Sequence, residues 1–103
     1  TMSEFVKEIS GAELETLLAE KDKVFVDFFA TWCGPCKMLA PVIDEVAQNH
    51  PDVTFVKVDV DRNLDATRKY RVMAMPTVVV FEGGKEKNRN VGYVPAEVLE
   101  DLL

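Results

Sequence analysis

The chain predicts an α/β fold: a mixed central sheet of about five strands, parallel with an antiparallel edge hairpin, flanked by about four helices. Three observations carry this. Segments rich in Val and Phe alternate with segments whose leucines recur at helical spacing. The run Val24 to Ala30 (VFVDFFA) is apolar but for one charge, as in a strand buried on both faces. Gly83-Gly84 follows a valine-rich run and signals a tight hairpin.

Each element has a local reason. Ser10 and Glu13 fit a capping box, and Leu14, Leu17 and Leu18 continue an apolar stripe to about Glu20. Lys21-Asp22-Lys23 breaks it, and Val24 to Ala30 forms the first central strand. A second helix starts around Cys33 and runs to Asn49, with Leu39, Val42, Ile43 and Val46 at helical spacing. Pro41 falls inside it and predicts a kink, because proline lacks an N–H and clashes one turn back. His50-Pro51 ends the helix. Val53 to Val60 reads as a strand, Leu64 to Tyr70 as a short helix and Thr77 to Phe81 as a strand. Lys87 to Tyr93 returns antiparallel after the hairpin, and Pro95 opens a last helix whose apolar face is Val98, Leu99, Leu102 and Leu103. A further strand fits Phe5 to Ile9.

Length and composition narrow the possibilities. A chain of 103 residues, 48% hydrophobic and 29% charged, suits one domain spanning 1–103, without repeats. Its net charge is −6 and its lysines and arginines are scattered, which argues against a nucleic-acid partner, since that binding rests on neutralising phosphates. No apolar run approaches the roughly 20 residues of a membrane span, and no basic–apolar–small leader opens the chain. The expectation is a monomer in the cytoplasm, away from membranes.

There are two cysteines, three positions apart. A bridge between them closes a ring of four residues and adds only about 2 kcal/mol by chain entropy, so the pair reads as chemistry more than as scaffolding. A zinc site needs four ligands; two Cys and one distant His would require a second molecule, and no metal or other cofactor is expected. Trp32-Cys33-Gly34-Pro35-Cys36 joins a buried strand to a helix. Sulfur attacks as the thiolate, and the unpaired N–H groups of a helix N-terminus favour that anion. Cys33 sits at this end and is expected to be the open, acidic thiol; Cys36 lies one turn in and is expected to be the more enclosed. Cys33 then attacks a substrate disulfide, and Cys36 attacks Cys33 to release the reduced substrate. Pro35 suits the first helical turn and stiffens the ring, and Gly34 permits a tight bend.

The segment Val26-Asp27-Phe28-Phe29-Ala30-Thr31-Trp32-Cys33-Gly34-Pro35-Cys36-Lys37-Met38 resembles the active-site segment of the thioredoxin family. Ala40-Pro41, Lys57 to Asp61, Met75-Pro76-Thr77, Gly84 and Gly92 extend the resemblance over essentially the whole chain. It implies the thioredoxin fold and protein-disulfide reduction, with disulfide-containing proteins as substrates and recharging by a thioredoxin reductase. Phe29 stands where the family most often has a second Trp, and Ala74 where it commonly has Gly; Met73 is also unusual, and the last helix is short.

The remaining candidates have a plain reading and a functional one. Asp27 is either a solvated edge residue or, as its apolar strand and the family suggest, a buried carboxyl that accepts the Cys36 proton through a water. Lys57 alone reads as a snorkelling lysine; the resemblance makes it a neighbour of Asp27 that tunes its charge, while Gly34-Pro35 between the cysteines points to a reducing couple, so that Gly34, Pro35 and Lys57 are the expected redox-tuning residues. Pro76 would be trans by frequency, only about 5–6% of X–Pro bonds being cis; the family implies cis, facing Cys33, with the Met75 backbone free to pair with an extended substrate. Trp32 is a packing residue or a partner contact, and Met73, Ala74, Met75 and Gly92 form a small apolar docking surface, with ordinary core as the plain reading of Met73. His50 reads as solvated. An oxidase or isomerase of the same fold competes with a reductase, although such proteins usually carry a His between the cysteines; a non-catalytic binding subunit is the third possibility.

Overall fold

The first helix shows how local sequence sets the architecture. Ser10 Oγ accepts the Glu13 N–H at 3.1 Å while a Glu13 carboxylate oxygen accepts the Ser10 N–H at 3.0 Å, so two donors at the helix start are satisfied reciprocally. The structure, a computed structural model, describes residues 3–103. Its elements are β1 (Lys7–Glu8), α1 (Gly11–Glu20), β2 (Lys23–Phe29), α2 (Gly34–Asn49), β3 (Thr54–Asp59), α3 (Leu64–Lys69), β4 (Thr77–Glu82), β5 (Lys85–Val91) and α4 (Ala96–Leu102).

The strands form one sheet in the order β1-β3-β2-β4-β5. β1, β3 and β2 run parallel, β4 lies antiparallel to β2, and β5 antiparallel to β4. This is the mixed sheet the sequence predicts: a parallel part built from β1, β3 and β2, and the β4–β5 hairpin set antiparallel at one edge.

Alternation within each strand builds two cores. Val24, Val26 and Phe28 of β2 join Val56, Val58, Val79 and Phe81 and the α1 residues Leu14 and Leu18 on one face. Phe25 joins Phe55, Val78, Val80, the α2 residues Leu39, Ile43 and Val46, and Leu99 of α4 on the other. Helix α2 runs through Pro41 without interruption, its Lys37 carbonyl losing the one donor a proline cannot supply. β5 starts two residues earlier than its pattern suggested because Gly83 and Gly84, at φ +60° and +79°, complete the turn by themselves. β1 shrinks to two exposed residues paired with Val56 and Lys57. Among the described residues no helix is long and apolar enough to cross a membrane.

Candidate active site

The site lies where β2 ends and α2 begins. Cys33 is the cap residue just before α2, and its Sγ accepts the Cys36 N–H at 3.2 Å. Cys33 and Cys36 are joined as a disulfide, with their Cα atoms 5.3 Å apart. One turn of helix thus brings the second sulfur onto the first and aims a backbone donor at the sulfur that precedes the helix.

The expectation that Cys33 is open and Cys36 enclosed is not met in this disulfide form, where each residue is 5% exposed. The reason is the chain opposite. Cys33 Sγ lies 3.5 Å from the Met75 carbonyl oxygen, and the Cys33 N–H donates to the Ala30 carbonyl at 3.3 Å. Met75 also packs against the core cluster that holds both sulfurs. The expected role of Gly34 also needs correction. It is the first helical residue, its φ is not positive, and a side chain there would meet nothing within 4 Å. No tight bend requires glycine at that position. Pro35 follows in the first turn, where its missing N–H costs nothing.

The Met75–Pro76 peptide bond is cis. Pro76 is buried, and its carbonyl accepts the Gly92 N–H at 2.8 Å. Gly92 has φ +95°, a conformation costly to any other residue type. Thr77 Oγ1 donates to the Ala74 carbonyl at 2.6 Å, closing the loop on itself. Upstream, Arg89 of β5 donates to the Tyr70 carbonyl at 2.8 Å and the Arg71 carbonyl at 3.4 Å while held by Glu86. Ala74 is exposed and Met75 half-buried beside the disulfide, with Met73 93% exposed next to them. Trp32 is 67% exposed, its indole N–H fixed on Asp61 Oδ2 at 2.8 Å. Trp32, Met73, Ala74, Met75 and Gly92 are thus placed around the sulfurs or along the Pro76 loop.

Behind the disulfide is a cleft of about 630 Å³ lined by Asp27, Phe29, Ala30, Thr31, Cys36, Lys37, Ala40, Pro41, Asp44 and Lys57. Cys36 lines this cleft and Cys33 does not. Asp27 is 4% exposed, and its Oδ1 is buried without a hydrogen-bond partner among the described residues. Burial pushes its pKa up from 3.8 to about 7, and the charge of Lys57 opposes that rise. Asp27 and Lys57 are register partners on β2 and β3. Among the described residues no ion pair joins them; the Lys57 ammonium lies over the Phe29 ring, 5.2 Å from its centroid. Apart from Phe29, noted only as a departure, two residues to which the sequence assigns no role bear on the site. Asp44 reaches the cleft from α2, legible only once Pro41 is placed on the same helix face. Asp61 anchors Trp32 from beyond β3, a long-range contact with no local signal. His50 lies away from the cleft and meets Glu100 Oε2 at 2.9 Å.

The site is thus a disulfide at a helix start with a cis-proline loop opposite it. The Thioredoxin family model matches residues 5–103. The chain belongs to the thioredoxin family. It is 50% identical over 94 residues to thioredoxin-2 of Saccharomyces cerevisiae, covering 90% of each chain. It is 48% identical over 92 residues to thioredoxin of Mycoplasmoides gallisepticum, covering 89% of this chain and 92% of that one. Its fold is similar to the oxidised crystal structure of mitochondrial thioredoxin 3 from S. cerevisiae, with TM-score 0.87, 37% identity, and coverage of 94% and 92%. As a thioredoxin-family protein it is a thiol–disulfide oxidoreductase that reduces protein disulfides by dithiol–disulfide exchange, using a redox-active disulfide in place of an external cofactor.

Proposed function

We propose that Cys33 is the nucleophile, Cys36 the resolving thiol and Asp27 the proton acceptor for Cys36, within one domain spanning 1–103. The observation that carries this reading is the cleft, which gathers Cys36, Asp27 and Lys57 behind the helix start. In the reduced protein the Cys33 thiolate, favoured by the Cys36 N–H, attacks a substrate disulfide. One sulfur–sulfur bond breaks, a mixed disulfide forms, and the substrate's first thiolate leaves. Cys36 gives its proton to Asp27 through water in the cleft. Its thiolate attacks Cys33, reforms the intramolecular disulfide and expels the second substrate thiolate.

A carboxyl held near neutrality suits this task, since it both takes and returns a proton at working pH. Lys57, Gly34 and Pro35 tune the couple. Trp32, Ala74, Met75, Pro76 and Gly92 form the docking surface, the Met75 backbone pairing with an extended substrate segment. A thioredoxin reductase returns the electrons. The protein works as a monomer in the cytoplasm, without a nucleic-acid or membrane partner.

The test is NADPH oxidation coupled through a thioredoxin reductase to a protein-disulfide substrate. Turnover is expected, and it should vanish in Cys33→Ser. Asp27→Ala should slow resolution of the mixed disulfide at neutral pH; an unchanged rate removes Asp27 from the mechanism. Iodoacetamide should label Cys33 of the reduced protein before Cys36, and the reverse order exchanges the two sulfur roles. The potential should lie at about −270 mV, the value established for thioredoxins themselves; one above about −200 mV moves the protein among the oxidases.

A further inference from the structure

Phe29 follows Asp27 on the same face of β2, and it partners Asp59 as Asp27 partners Lys57. β2 and β3 run parallel with Asp27 and Lys57 in register, and strands about 5 Å apart leave a lysine ammonium well within reach of the neighbouring carboxylate. Here the carboxyl oxygen stays unpaired and the ammonium sits over the aromatic ring, although all three side chains line one cleft. The ring face attracts the cation through its quadrupole. The other charged groups around Asp27 do not account for the displacement. Lys37 and Asp44 reach the cleft from α2, and β4 contributes only Val78 opposite Asp27. Cys36 is bonded to Cys33. Ser3, at the inner end, donates to Asp44. Asp59, opposite Phe29, has Oδ1 occupied by the Asp61 N–H at 2.9 Å.

We propose that Phe29 is a positioning residue: its ring holds the Lys57 ammonium off Asp27 and leaves that carboxyl free to exchange a proton with Cys36. The proposal rests on the reading of Asp27 as proton acceptor. Contact with an ammonium typically lowers a carboxyl by about 1–3 pH units, making it a weak base. Parking the charge on a ring 5.2 Å away keeps it near the cleft without that contact. The substitution of an aromatic ring other than Trp at this position then has a functional content: any ring with an electron-rich face can serve, and an aliphatic side chain cannot.

The experiment titrates the Asp27 carboxyl carbon by NMR in the oxidised protein, where neither cysteine titrates. Phe29→Leu should lower the midpoint by about one pH unit or more as Lys57 closes on Asp27. In a Lys57→Met background, Phe29→Leu should leave it unmoved. A 3,5-difluorinated ring at position 29 keeps the shape and weakens the face, and should move the midpoint in the same direction as Leu, which keeps the test available if the leucine variant does not fold. An unmoved midpoint with the fluorinated ring, or an equal fall in the Lys57→Met background, overturns the proposal. The rate of mixed-disulfide resolution is then followed against pH. Its acid limb should shift to lower pH with the NMR midpoint, and its plateau should drop because a stronger acid is a weaker base. A midpoint that moves while the limb stays put defeats the proton-acceptor role of Asp27 and leaves the placement of Lys57 by Phe29 standing.

Discussion

Two cross-strand pairs lie side by side on one face of the sheet, and they have opposite fates. Phe25 and Phe55 oppose each other on β2 and β3, with ring centroids 4.8 Å apart, and Leu39, Ile43 and Val46 of α2 belong to the same buried cluster. Two residues further along the same strands, Asp27 opposes Lys57, and the helix segment that reaches them offers Ala40 and Pro41, which line a cleft. Same strands, same face, same helix: small side chains at one turn of α2 turn a sealed core into a site. A carboxyl placed under Leu39 would be isolated in hydrocarbon, while under Ala40 it keeps a route to water. The lesson is that the site is built by what the helix leaves out.

The two pairs should respond to truncation with opposite signs. Phe55→Ala is expected to destabilise the protein by about 3–5 kcal/mol through lost burial and the cavity left behind, measured by urea unfolding. Reductase activity per folded molecule should be unchanged. Asp27→Ala should do the reverse. The native carboxyl is raised from 3.8 to about 7, so below pH 4 it is protonated whether folded or unfolded and costs nothing. Between pH 4 and 7 the unfolded chain ionises first, and wild-type stability falls as pH rises; above 7 the loss is complete. The variant should therefore gain on wild type through that window, by up to about 4 kcal/mol at pH 8. A pH-independent difference would mean that the carboxyl does not titrate in that range.

Much of this comparison is legible in the sequence. VFVDFFA marks Asp27 as the one charge in a buried strand, and KVDVD marks Lys57 among apolar neighbours. Pairing them needs the β2–β3 register, which the family resemblance supplied and the periodicity did not. The equal covering of the two sulfurs was also hidden, because the segment that shields Cys33 comes from Met75, 42 positions away. Local order in the sequence predicts which sulfur starts the helix; it says nothing of what arrives opposite. Conversely, Ser10, Glu13, Gly83 and Gly84 act within a few residues, and their turns and caps are read directly.

The polar pair can be sharpened without touching the carboxyl. The Lys57 charge opposes the rise in Asp27, so Lys57→Met should raise the Asp27 midpoint by about one pH unit. In the NMR titration the carboxyl then stays protonated past neutrality, and mixed-disulfide resolution at pH 7 slows. An unmoved midpoint would show that the ammonium is screened by solvent in the cleft.

The smallest expected effect tests the helix side of the comparison. Ala40 is exposed and lines the mouth of the cleft. Ala40→Leu extends an apolar side chain where α2 is short of cover, so position 40 comes to resemble Leu39. Stability should change by no more than about 0.5 kcal/mol, because the residue packs on little. Desolvation, already the larger cause of the Asp27 shift, should increase, moving its midpoint upward, and resolution at pH 7 should slow with it. The same substitution at the solvent-facing Gln48, on the same helix but away from the cleft, should change neither. If Ala40→Leu leaves the Asp27 midpoint where it is, water reaches the carboxyl by another path and the small residues of α2 are not what opens the site.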